Sequence, residues 1–399
     1  MKEIESMKDN NMNKKVLLVR STPSAVNADV YNLQQFGIGK SFVQKGYDYD
    51  FITFKKSEPK RDFIFYESNG CRARCIELPR VKFFRWGINR SICTEEFLSQ
   101  YDLIICQEYY QLETYLISCK SDKVIMYTGP YYNMFSPKFF SPIYDVFFTR
   151  RVNKQIKRKF VKSVLAYDYM EKKGYTGLEI VGVALDTTRF ENVEILPETQ
   201  KLVDYMTENR CLLYVGTRIP RKNYPFLLEV YQRVLEKAPD IKLVTIGKSR
   251  VTSFEKKFLG KKDEDYALSC EARLPEEVKR GIFHLDRMEN PQLKFIYPLA
   301  KAFLLPSVLE IFGMVLLEAM YHGTPIVSSE NGGSLTLMAD GTCGQIVKEF
   351  DADKWADAIM KYLDDEEYVK KVVAAGQNKL KTTYNWSNIV DRFIDAMEV

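Results

Sequence analysis

The chain of 399 residues has no uninterrupted apolar run close to the roughly 18 residues that a membrane-spanning helix requires. The sequence therefore predicts a protein without such a helix. Histidine is equally scarce, since His284 and His322 are the two examples and both lie in the C-terminal half. We expect both histidines to be structural, with His322 capping the dipole of a predicted helix that ends beside it.

The eight cysteines do not follow the spacing of a disulfide framework. Most lie inside apolar runs such as 103–106, where a free thiol behaves as a small hydrophobic side chain. Cys71 and Cys75 have neither a second cysteine pair nor a nearby histidine, so a zinc site is not expected. This pattern favours a reducing, cytoplasmic compartment.

Length and composition indicate a globular protein with more than one hydrophobic core. Hydrophobic residues make up 46% and charged residues 28% of the sequence, and 399 residues favour two domains. The net charge of +5 is uneven, because residues 1–200 carry +6 and residues 201–399 carry −1. This asymmetry points to an anionic partner, for which nucleic acid, a lipid surface and an anionic small molecule all fit the charge.

Apolar strand-like runs alternate with helix-length segments, which is typical of parallel sheets covered on both faces. The predicted strands are 14–20, 50–54, 103–106, 124–127, 163–166, 211–216, 241–247, 302–306 and 325–327, and the predicted helices include 34–45 and 224–237. A polar stretch around Pro197 interrupts this alternation. We therefore expect a disordered leader at 1–12, an N-terminal domain at 13–190, a linker at 191–208, a C-terminal domain at 209–375, and a C-terminal helix at 376–399 that packs back on the N-terminal domain.

The most informative segment runs from Pro306 to Met320. A strand ends at Pro306, a loop carries Glu310, and Gly313 opens an apolar helix that contains Glu318. The free N–H groups at a helix start bind anions, and a glycine there lets a phosphate approach the backbone. Two carboxylates beside a phosphate site match a sugar nucleotide, which carries hydroxyls on both sides of its diphosphate. The alternative is a buried helix with a surface glutamate at each end, but Glu318 is costly to bury unless it is paired.

The spacing of Glu310 and Glu318 resembles the E-x7-E signature of family 4 glycosyltransferases, the retaining group with the GT-B fold. Other segments are similar to further elements of that family: 215–223, 323–327 with 331–334, 182–186 with Phe190, and 384–387. The resemblance covers nearly the whole chain and is strongest from about residue 180 onward. It implies two Rossmann-like α/β domains that face each other across a central cleft.

The resemblance also implies roles for the loop residues. Glu310 would orient the donor sugar, Glu318 would hold the ribose, and the amides of Phe312, Gly313, Met314 and Val315 would meet the distal phosphate. Arg218 and Lys222 would neutralise the departing diphosphate without a metal ion or another cofactor. They lie with Gly216 and Arg221 in the predicted phosphate loop.

The phosphate loop departs from the family pattern at one position. Many relatives place arginine directly after the loop glycine, where this chain has Thr217. Arg218 and Arg221 flank that position, and the sequence leaves open which of them reaches phosphate.

The N-terminal domain departs further from the family, whose members often carry a histidine after the fourth strand. The corresponding loop, 127–133, contains no histidine, and its Tyr131 is a candidate contact on the acceptor or diphosphate side. Retaining enzymes of this kind are thought to use the departing phosphate as the base, so the loss is compatible with transfer. Gly37 and Gly39 form a partial glycine motif that is either packing at a helix start or a contact to phosphate or acceptor.

Two basic and aromatic segments lie in the N-terminal half, at 82–86 and at 150–160 after the phenylalanines 139–140 and 147–148. Such a composition suits an anionic bilayer surface, although a solvated helix face fits it equally well. No recognised nucleic-acid-binding module surrounds these residues, so a nucleic-acid partner is not expected.

The sequence as a whole predicts a retaining, metal-independent glycosyltransferase. Its donor would be a UDP- or GDP-sugar and its acceptor a glycan or lipid-linked precursor, as in bacterial capsule or exopolysaccharide synthesis. The expected location is the cytoplasm, at the inner face of the cell membrane. The alternatives are another GT-B enzyme, such as a sugar-nucleotide epimerase or a synthase, and a catalytically silent module that binds a membrane or a partner.

Overall fold

The computed structural model describes residues 13–21, 33–55, 61–83, 86–133, 140–249 and 266–397. The predicted leader, 1–12, lies outside these ranges, as do Phe84, Arg85 and Phe139 of the basic and aromatic segments. Within the described part of the chain, each helix is too short or too polar to cross a membrane. Two large sheets, one in each half of the chain, organise the described residues, and a two-stranded ribbon accompanies the first.

The N-terminal sheet has the strand order β10-β9-β8-β7-β1-β2-β4-β3 among the described residues. Its strands, with the small ribbon formed by β5 and β6, are β1 Lys15–Arg20, β2 Asp48–Lys55, β3 Arg61–Ser68, β4 Cys71–Pro79, β5 Val81–Phe83, β6 Trp86–Ile88, β7 Leu103–Gln107, β8 Val124–Thr128, β9 Lys159–Val161 and β10 Leu178–Ile180. Both faces of the central strands are covered, and the apolar run Val16–Val19 is almost fully buried. Such continuous apolar runs are what parallel strands require, which is why the sequence predicted β1, β2, β7 and β8 correctly.

The edge hairpin β3–β4 was not predicted from the sequence. It is the antiparallel pair of this sheet, and its turn residues Asn69 and Gly70 have φ values of 52° and 76°. Two left-handed residues between antiparallel strands are the mark of a type I′ turn, which Asn-Gly favours strongly. Cys71 and Cys75 lie on β4 as buried free thiols, and all eight cysteines are free, in agreement with the sequence prediction.

The C-terminal sheet has the strand order β13-β12-β11-β14-β15-β16 in the described residues, and all of its neighbouring strands are parallel. The strands are β11 Cys211–Val215, β12 Lys242–Ile246, β13 Ile282–Leu285, β14 Ala300–Leu305, β15 Ile326–Ser328 and β16 Gln345–Ile346. This is the 3-2-1-4-5-6 order of a Rossmann sheet, in which the strand order reverses between β11 and β14. Ligands bind outside the carboxyl ends of the strands at such a reversal.

Helices cover both sheets. Their bounds are Gln34–Gln44, Glu95–Leu98, Leu112–Ser118, Phe140–Tyr144, Arg150–Gln155, Val164–Lys172, Pro197–Glu208, Tyr224–Lys237, Tyr266–Glu271, Glu276–Arg280, Met314–Tyr321, Gly332–Met338, Ala352–Asp364, Glu366–Thr382 and Trp386–Asp395. The helices predicted at 34–45 and 224–237 are confirmed. In the second of them Leu227, Tyr231 and Val234 are fully buried, which is the spacing of one helix face.

The strand predicted at 163–166 is wrong. Strand β9 ends at Val161, and Ser163 caps the following helix, its Oγ accepting a hydrogen bond from Ala166 N at 3.1 Å. A short apolar run after a serine fits a helix start as well as a strand, and the serine decides the outcome here.

The basic run at 150–160 does not form one continuous surface. Its helix ends at Gln155, and Lys159 enters β9, where Nζ donates to the carbonyls of Asn153 and Thr176. Burial lowers the pKa of Lys159 to about 8. The exposed cations of this segment are therefore those on the helix and in the loop that follows it.

The chain passes between the two halves twice. Residues 191–208, predicted as a linker, include the helix Pro197–Glu208. The predicted domain boundary at 375 lies inside the helix Glu366–Thr382. The chain returns to the N-terminal half after this helix ends. The last helix, Trp386–Asp395, packs on the N-terminal sheet, where the ring of Phe393 lies 4.9 Å from Phe160 and 5.5 Å from Tyr127, measured between centroids. The domain limits themselves remain a prediction.

Candidate functional site

The candidate site lies at the carboxyl ends of β11 and β14, where the order of the C-terminal sheet reverses. The loop after β11 carries Arg221, and the loop after β14 carries Val308 and Leu309. Backbone contacts join the two loops, since Val308 N donates to Arg221 O at 3.0 Å. Arg221 also donates through Nη1 to Leu309 O at 2.9 Å. The predicted phosphate loop and the predicted carboxylate loop therefore form one surface.

Glu310 is the carboxylate at the centre of this surface. Lys222 Nζ donates a hydrogen bond to its Oε2, and Arg221 Nη1 lies 3.6 Å from the same oxygen. Burial favours the neutral form of Glu310, but the charges of Lys222 and Arg221 hold its pKa below the usual value. The structure thus brings Glu310, Lys222 and Arg221 together with the carboxylate charged.

Arg218 has a different environment from Arg221. Its guanidinium donates to Asp286 Oδ1 at 2.9 Å and to Gly247 O at 3.1 Å, and it lies 3.6 Å from Glu271 Oε1. The side chain of Arg218 is 8% exposed, against 35% for Arg221. Of the two arginines that the sequence left open, Arg221 is the one beside Glu310, while Arg218 is held by carboxylates of its own domain.

Glu318 lies on the buried face of the helix Met314–Tyr321, with 3% of its surface exposed. Its carboxylate accepts hydrogen bonds from Asn290 Nδ2 at 2.8 Å and from the Tyr297 hydroxyl at 3.0 Å. Burial raises the pKa of Glu318, and the two hydrogen bonds oppose this effect. The sequence predicted that a partner would be needed at Glu318, but it did not identify Asn290 or Tyr297.

The start of the helix Met314–Tyr321 has the form of an anion site. Gly313 has φ of 79°, a left-handed conformation that favours glycine, and no side chain among the described residues caps the helix. The amides of Met314 and Val315 lie in its first turn, where N–H groups have no partner within the helix. Phe312 is buried beside them.

The loop before this helix lies against a second helix start. A Cβ on Gly333 would lie 1.6 Å from Phe312 O, and a Cβ on Gly332 would lie 2.0 Å from Ile311 O. Glycine is required at both positions because the backbones approach so closely.

The N-terminal half reaches the site through Tyr131. Its hydroxyl donates to Glu310 O at 3.0 Å and accepts from Glu310 N at 3.3 Å. One hydroxyl thus binds both polar backbone groups of Glu310. Tyr131, which the sequence analysis named as a candidate contact on the acceptor or diphosphate side, lies directly against the donor-side loop.

Gly37 and Gly39 lie inside the helix Gln34–Gln44. A Cβ on Gly37 would meet Trp386 Nε1 at 2.1 Å, and one on Gly39 would meet the ring of Tyr49 at 2.6 Å. Close packing against these two aromatic side chains therefore explains why both positions are glycine. Their contact with phosphate or acceptor stays a prediction.

His284 belongs to the network that holds Arg218. Its Nε2 lies 3.1 Å from Glu271 Oε2, and its Nδ1 lies 2.6 Å from Thr245 Oγ1. The arginine, the histidine and Glu271 therefore fix one another beside the phosphate loop.

His322 stacks on Tyr297, with 5.7 Å between ring centroids. Burial, together with the charge of Lys294, lowers its pKa to about 4. His322 lies at the C-terminal end of the helix Met314–Tyr321, as the sequence predicted. Its lowered pKa favours the neutral ring, which adds no charge to the helix dipole.

Two charged residues near the cleft were missed from the sequence. Glu108 follows β7 and Lys162 follows β9, and they form an ion pair with 3.0 Å between Nζ and Oε1. The available signal was position, because both follow buried strands at the carboxyl edge of the sheet. Within the described ranges, no group of three or more His, Cys, Asp or Glu residues is arranged to hold a metal ion.

Residues 200–379 match the family model for glycosyl transferases group 1. This match and the relatives described below support a group 1 glycosyltransferase. The matched stretch contains the two loops and the helix start described above, and Tyr131 is contributed from outside it. The predicted resemblance to a group 1 glycosyltransferase is confirmed, while the finer assignment to the retaining family 4 stays a prediction.

Named relatives agree with this family. The chain is 26% identical to a phosphatidyl-myo-inositol mannosyltransferase of Mycobacterium leprae over 209 residues, which cover 52% of this chain and 51% of that protein. It is 28% identical to O-antigen chain mannosyltransferase B of Escherichia coli over 265 residues, which cover 58% and 64%. The aligned part of the chain thus spans about half to two thirds of the length of these curated relatives.

The fold extends beyond the group 1 domain. HepE of Anabaena, solved in complex with UDP and glucose, superposes with a TM-score of 0.66 at 13% identity over 96% of this chain and 99% of that chain. At this identity the likeness establishes the fold alone. The chain has the GT-B architecture of two Rossmann-like domains, as the sequence predicted.

Proposed function

We propose that the protein is a retaining glycosyltransferase that moves a sugar from a nucleotide-sugar donor to a glycan or a lipid-linked acceptor. The observation that carries this proposal is the contact of Lys222 with Glu310 beside an uncapped helix start, at the point where the sheet order reverses. It combines a cation, a charged carboxylate and free backbone amides. A diphosphate with a sugar attached needs these three groups.

In the proposed reaction the bond between the sugar C1 and the diphosphate oxygen breaks, and negative charge develops on the leaving group. Lys222 and Arg221 would stabilise that charge, together with the amides of the helix start. Hydrogen bonds to charged groups contribute about 1.5–3 kcal/mol each, so one of these cations accounts for roughly a tenfold rate effect or more. The positive charge comes from side chains, and the proposed chemistry calls on no metal ion or other cofactor.

Glu310 would accept hydrogen bonds from the hydroxyls of the donor sugar and thereby orient its C1. Its depressed pKa supports this role, because a charged carboxylate is an acceptor for several hydroxyls at once. Glu318 would accept from the ribose hydroxyls. In that case its hydrogen bonds with Asn290 and Tyr297 would fix the direction of the carboxylate.

The loop after β8 is compatible with transfer on one face of the sugar. We propose that the acceptor hydroxyl attacks C1 from the side of the leaving diphosphate, whose oxygen takes the hydroxyl proton as the new C–O bond forms. Atoms and charge balance without a protein base. Thr128 ends β8 directly before this loop, and its hydroxyl donates to Glu108 Oε2 at 3.0 Å.

The relatives support the choice of substrates. Mannosyltransferases whose names include phosphatidyl-myo-inositol and the O-antigen chain suggest lipid and polysaccharide acceptors. HepE, solved with UDP and glucose, suggests a uridine nucleotide, while a GDP-sugar remains the second candidate donor. A role in capsule or exopolysaccharide assembly follows as the proposed setting.

An exposed apolar surface on the N-terminal half supports an acceptor held in a bilayer. Val146 and Phe147 are 75% and 71% exposed, and Ile143 lies one turn before them. Arg150 and Arg151 follow on the next helix and are also exposed. Apolar side chains beside cations suit the surface of an anionic membrane, so we propose that this surface contacts the lipid that carries the acceptor.

A donor panel tests the proposal. The purified chain is incubated with UDP- and GDP-sugars and with extracted lipid-linked acceptors, and both nucleotide release and the glycosylated product are measured. Nucleotide release coupled to product, with retained anomeric configuration, is the expected result. Epimerised sugar nucleotide without transfer would indicate the epimerase alternative, and no binding of any sugar nucleotide would indicate a silent module.

A further inference from the structure

The turn that carries Tyr131 is itself held by a buried ion pair. Lys162 Nζ lies 3.0 Å from Glu108 Oε1, and the two side chains are only 6% and 10% exposed. The other carboxylate oxygen, Oε2, accepts from Thr128 Oγ1 at 3.0 Å and from Gly129 N at 3.1 Å. Both carboxylate oxygens of Glu108 thus accept hydrogen bonds. Two of the three donors, Thr128 Oγ1 and Gly129 N, belong to the turn that begins at Thr128.

The backbone of Glu108 marks it as a special position. Its φ of 75° lies in the left-handed region, which is unfavourable for a glutamate. Glu108 also follows β7 at the point where the order of the N-terminal sheet reverses between β1 and β7. Backbone strain of this kind persists where the surrounding contacts outweigh its cost, and it is frequent at functional sites.

Gly129 lies between this ion pair and the opposite domain. A Cβ added to Gly129 would lie 2.6 Å from Lys162 Cδ and 3.0 Å from Ile311 Cγ2. The turn is therefore packed between the ion pair on one side and the residue after Glu310 on the other. Tyr131 then completes the contact through both backbone groups of Glu310.

Charges from both domains meet at the neighbouring Tyr132. Burial raises its pKa to about 12, the charge of Arg221 lowers it, and the charges of Glu310 and Glu108 raise it. Tyr132 therefore lies close enough to Glu108 and to the donor-side residues Arg221 and Glu310 for all three charges to affect its pKa.

We propose that Glu108 and Lys162 are positioning residues that fix the turn from Thr128 to Tyr132, so that Tyr131 holds the backbone of Glu310 in place. The orientation of the donor-side carboxylate then depends on an ion pair in the acceptor-side domain. This inference rests on the proposed function for its catalytic consequence, but its structural part can be tested without any turnover.

Hydrogen exchange of the full chain tests the structural part. In Tyr131→Phe the amide of Glu310 loses its acceptor, so we expect a peptide covering 306–314 to exchange severalfold faster. Glu108→Gln and Lys162→Met are expected to accelerate exchange in 306–314 as well as in 126–133. A peptide covering the helix Tyr224–Lys237 reports global opening and is expected to remain unchanged.

Asp50→Asn is the matched control. Asp50 is a buried carboxylate that pairs with Lys15 and Arg74 near the opposite, amino-terminal edge of the same sheet. Its loss destabilises the N-terminal domain without touching the turn, so exchange in 306–314 should stay at the wild-type rate. The proposal is overturned if Glu108→Gln leaves exchange in 306–314 unchanged, or if Asp50→Asn accelerates it equally.

Kinetics then test the catalytic part. We expect Tyr131→Phe and Glu108→Gln each to lower kcat at least tenfold, with the KM for the donor changed less than threefold, because the nucleotide contacts stay intact. Since both act through one contact, the double variant should lose little more than either single variant. If the two losses of kcat multiply in the double variant, Tyr131 and Glu108 do not act through one contact, and the proposal is overturned. A chain with accelerated exchange in the variants but no transfer with any donor would overturn the proposed function and leave the positioning role standing.

Discussion

Lys222 donates a hydrogen bond to the carboxylate of Glu310 across 88 positions of sequence, and each of the two side chains compensates the charge of the other in a mostly buried setting. The pair joins the loop after β11 to the loop after β14. A donor diphosphate that attracted Lys222 would therefore also release the carboxylate for the hydroxyls of the sugar.

Lys222→Met is expected to lower donor turnover at least about tenfold, because one charge-assisted contact to the diphosphate disappears. Glu310→Gln keeps the shape of the side chain but removes its charge, and we expect a loss of similar size. Turnover is measured as nucleotide released with the best donor of the panel. Lys237→Met is the matched control, since Lys237 pairs with Asp357 on the surface of the same domain. Equal losses in the control would contradict the assignment.

The two arginines of the phosphate loop are expected to separate in their effects. Arg221→Met should reduce turnover about tenfold or more and change the melting temperature little, because the side chain is partly exposed. Arg218→Met should instead destabilise the domain by about 1–3 kcal/mol, since Gly247 O and the carboxylates beside it lose a nearly buried donor. Thermal unfolding and kcat/KM of both variants check this. A stable Arg218→Met variant without activity would reverse the two roles.

Two substitutions at Glu318 distinguish its structural contacts from donor binding. Glu318→Leu leaves the Asn290 amide and the Tyr297 hydroxyl without an acceptor, which costs about 2–4 kcal/mol of unfolding free energy. Glu318→Gln retains an acceptor oxygen, so we expect a loss of at most about 1 kcal/mol. Both remove the charge and should weaken binding of the nucleotide sugar about tenfold. Urea unfolding measures the stability and calorimetric titration measures the binding. Unchanged nucleotide-sugar binding by Glu318→Gln would contradict the proposed contact of Glu318 with the ribose.

His322 makes the stability of the chain dependent on pH. Its folded pKa of about 4 lies below the ordinary 6.5, so the unfolded chain binds the proton more strongly between these values. Stability is therefore expected to fall as pH decreases from 6.5 to 4, by at most about 3 kcal/mol from this residue. His322→Phe keeps a ring against Tyr297 and removes the titration. Urea unfolding at pH 7 and pH 5 should show a smaller difference for this variant, and an identical difference would contradict the assignment.

The apolar surface near Phe147 predicts binding to anionic vesicles. Val146→Asp and Phe147→Asp should each weaken binding to vesicles containing phosphatidylserine about tenfold, because apolar contact is lost and negative charge is added. Binding should also weaken with salt. Leu268→Asp changes an exposed leucine of the C-terminal domain and serves as the control. Vesicle sedimentation is the measurement, and equal binding by all three variants would contradict a role for this surface.

The sequence predicted most of the strands that lie inside the sheets, because buried parallel strands such as Leu103–Gln107 appear as continuous apolar runs. The sequence prediction failed where a segment fitted more than one kind of secondary structure. The run after Ser163 fits a strand or a capped helix, and the edge hairpin mixes polar and apolar residues because one of its faces is less buried. There the Asn69-Gly70 turn was the available signal.

The candidate site divides in the same way. Glu310 and Lys222 could be predicted because each belongs to a short motif with a fixed place after a strand. Asn290, the partner of Glu318, and Lys162, the partner of Glu108, lie in segments without any motif, and 54 positions separate Glu108 from Lys162. Such pairs depend on the three-dimensional packing of several elements, which residue patterns along the chain do not encode.

The last helix has a consequence for how the protein is made. Trp386–Asp395 completes the N-terminal core with Phe393, yet it is synthesised after the whole group 1 domain. The N-terminal domain therefore emerges from the ribosome with an uncovered apolar area, which stays exposed until the helix Trp386–Asp395 has been synthesised. Translation time for nearly half the chain separates the two events, and a premature stop before Trp386 would leave that area exposed permanently.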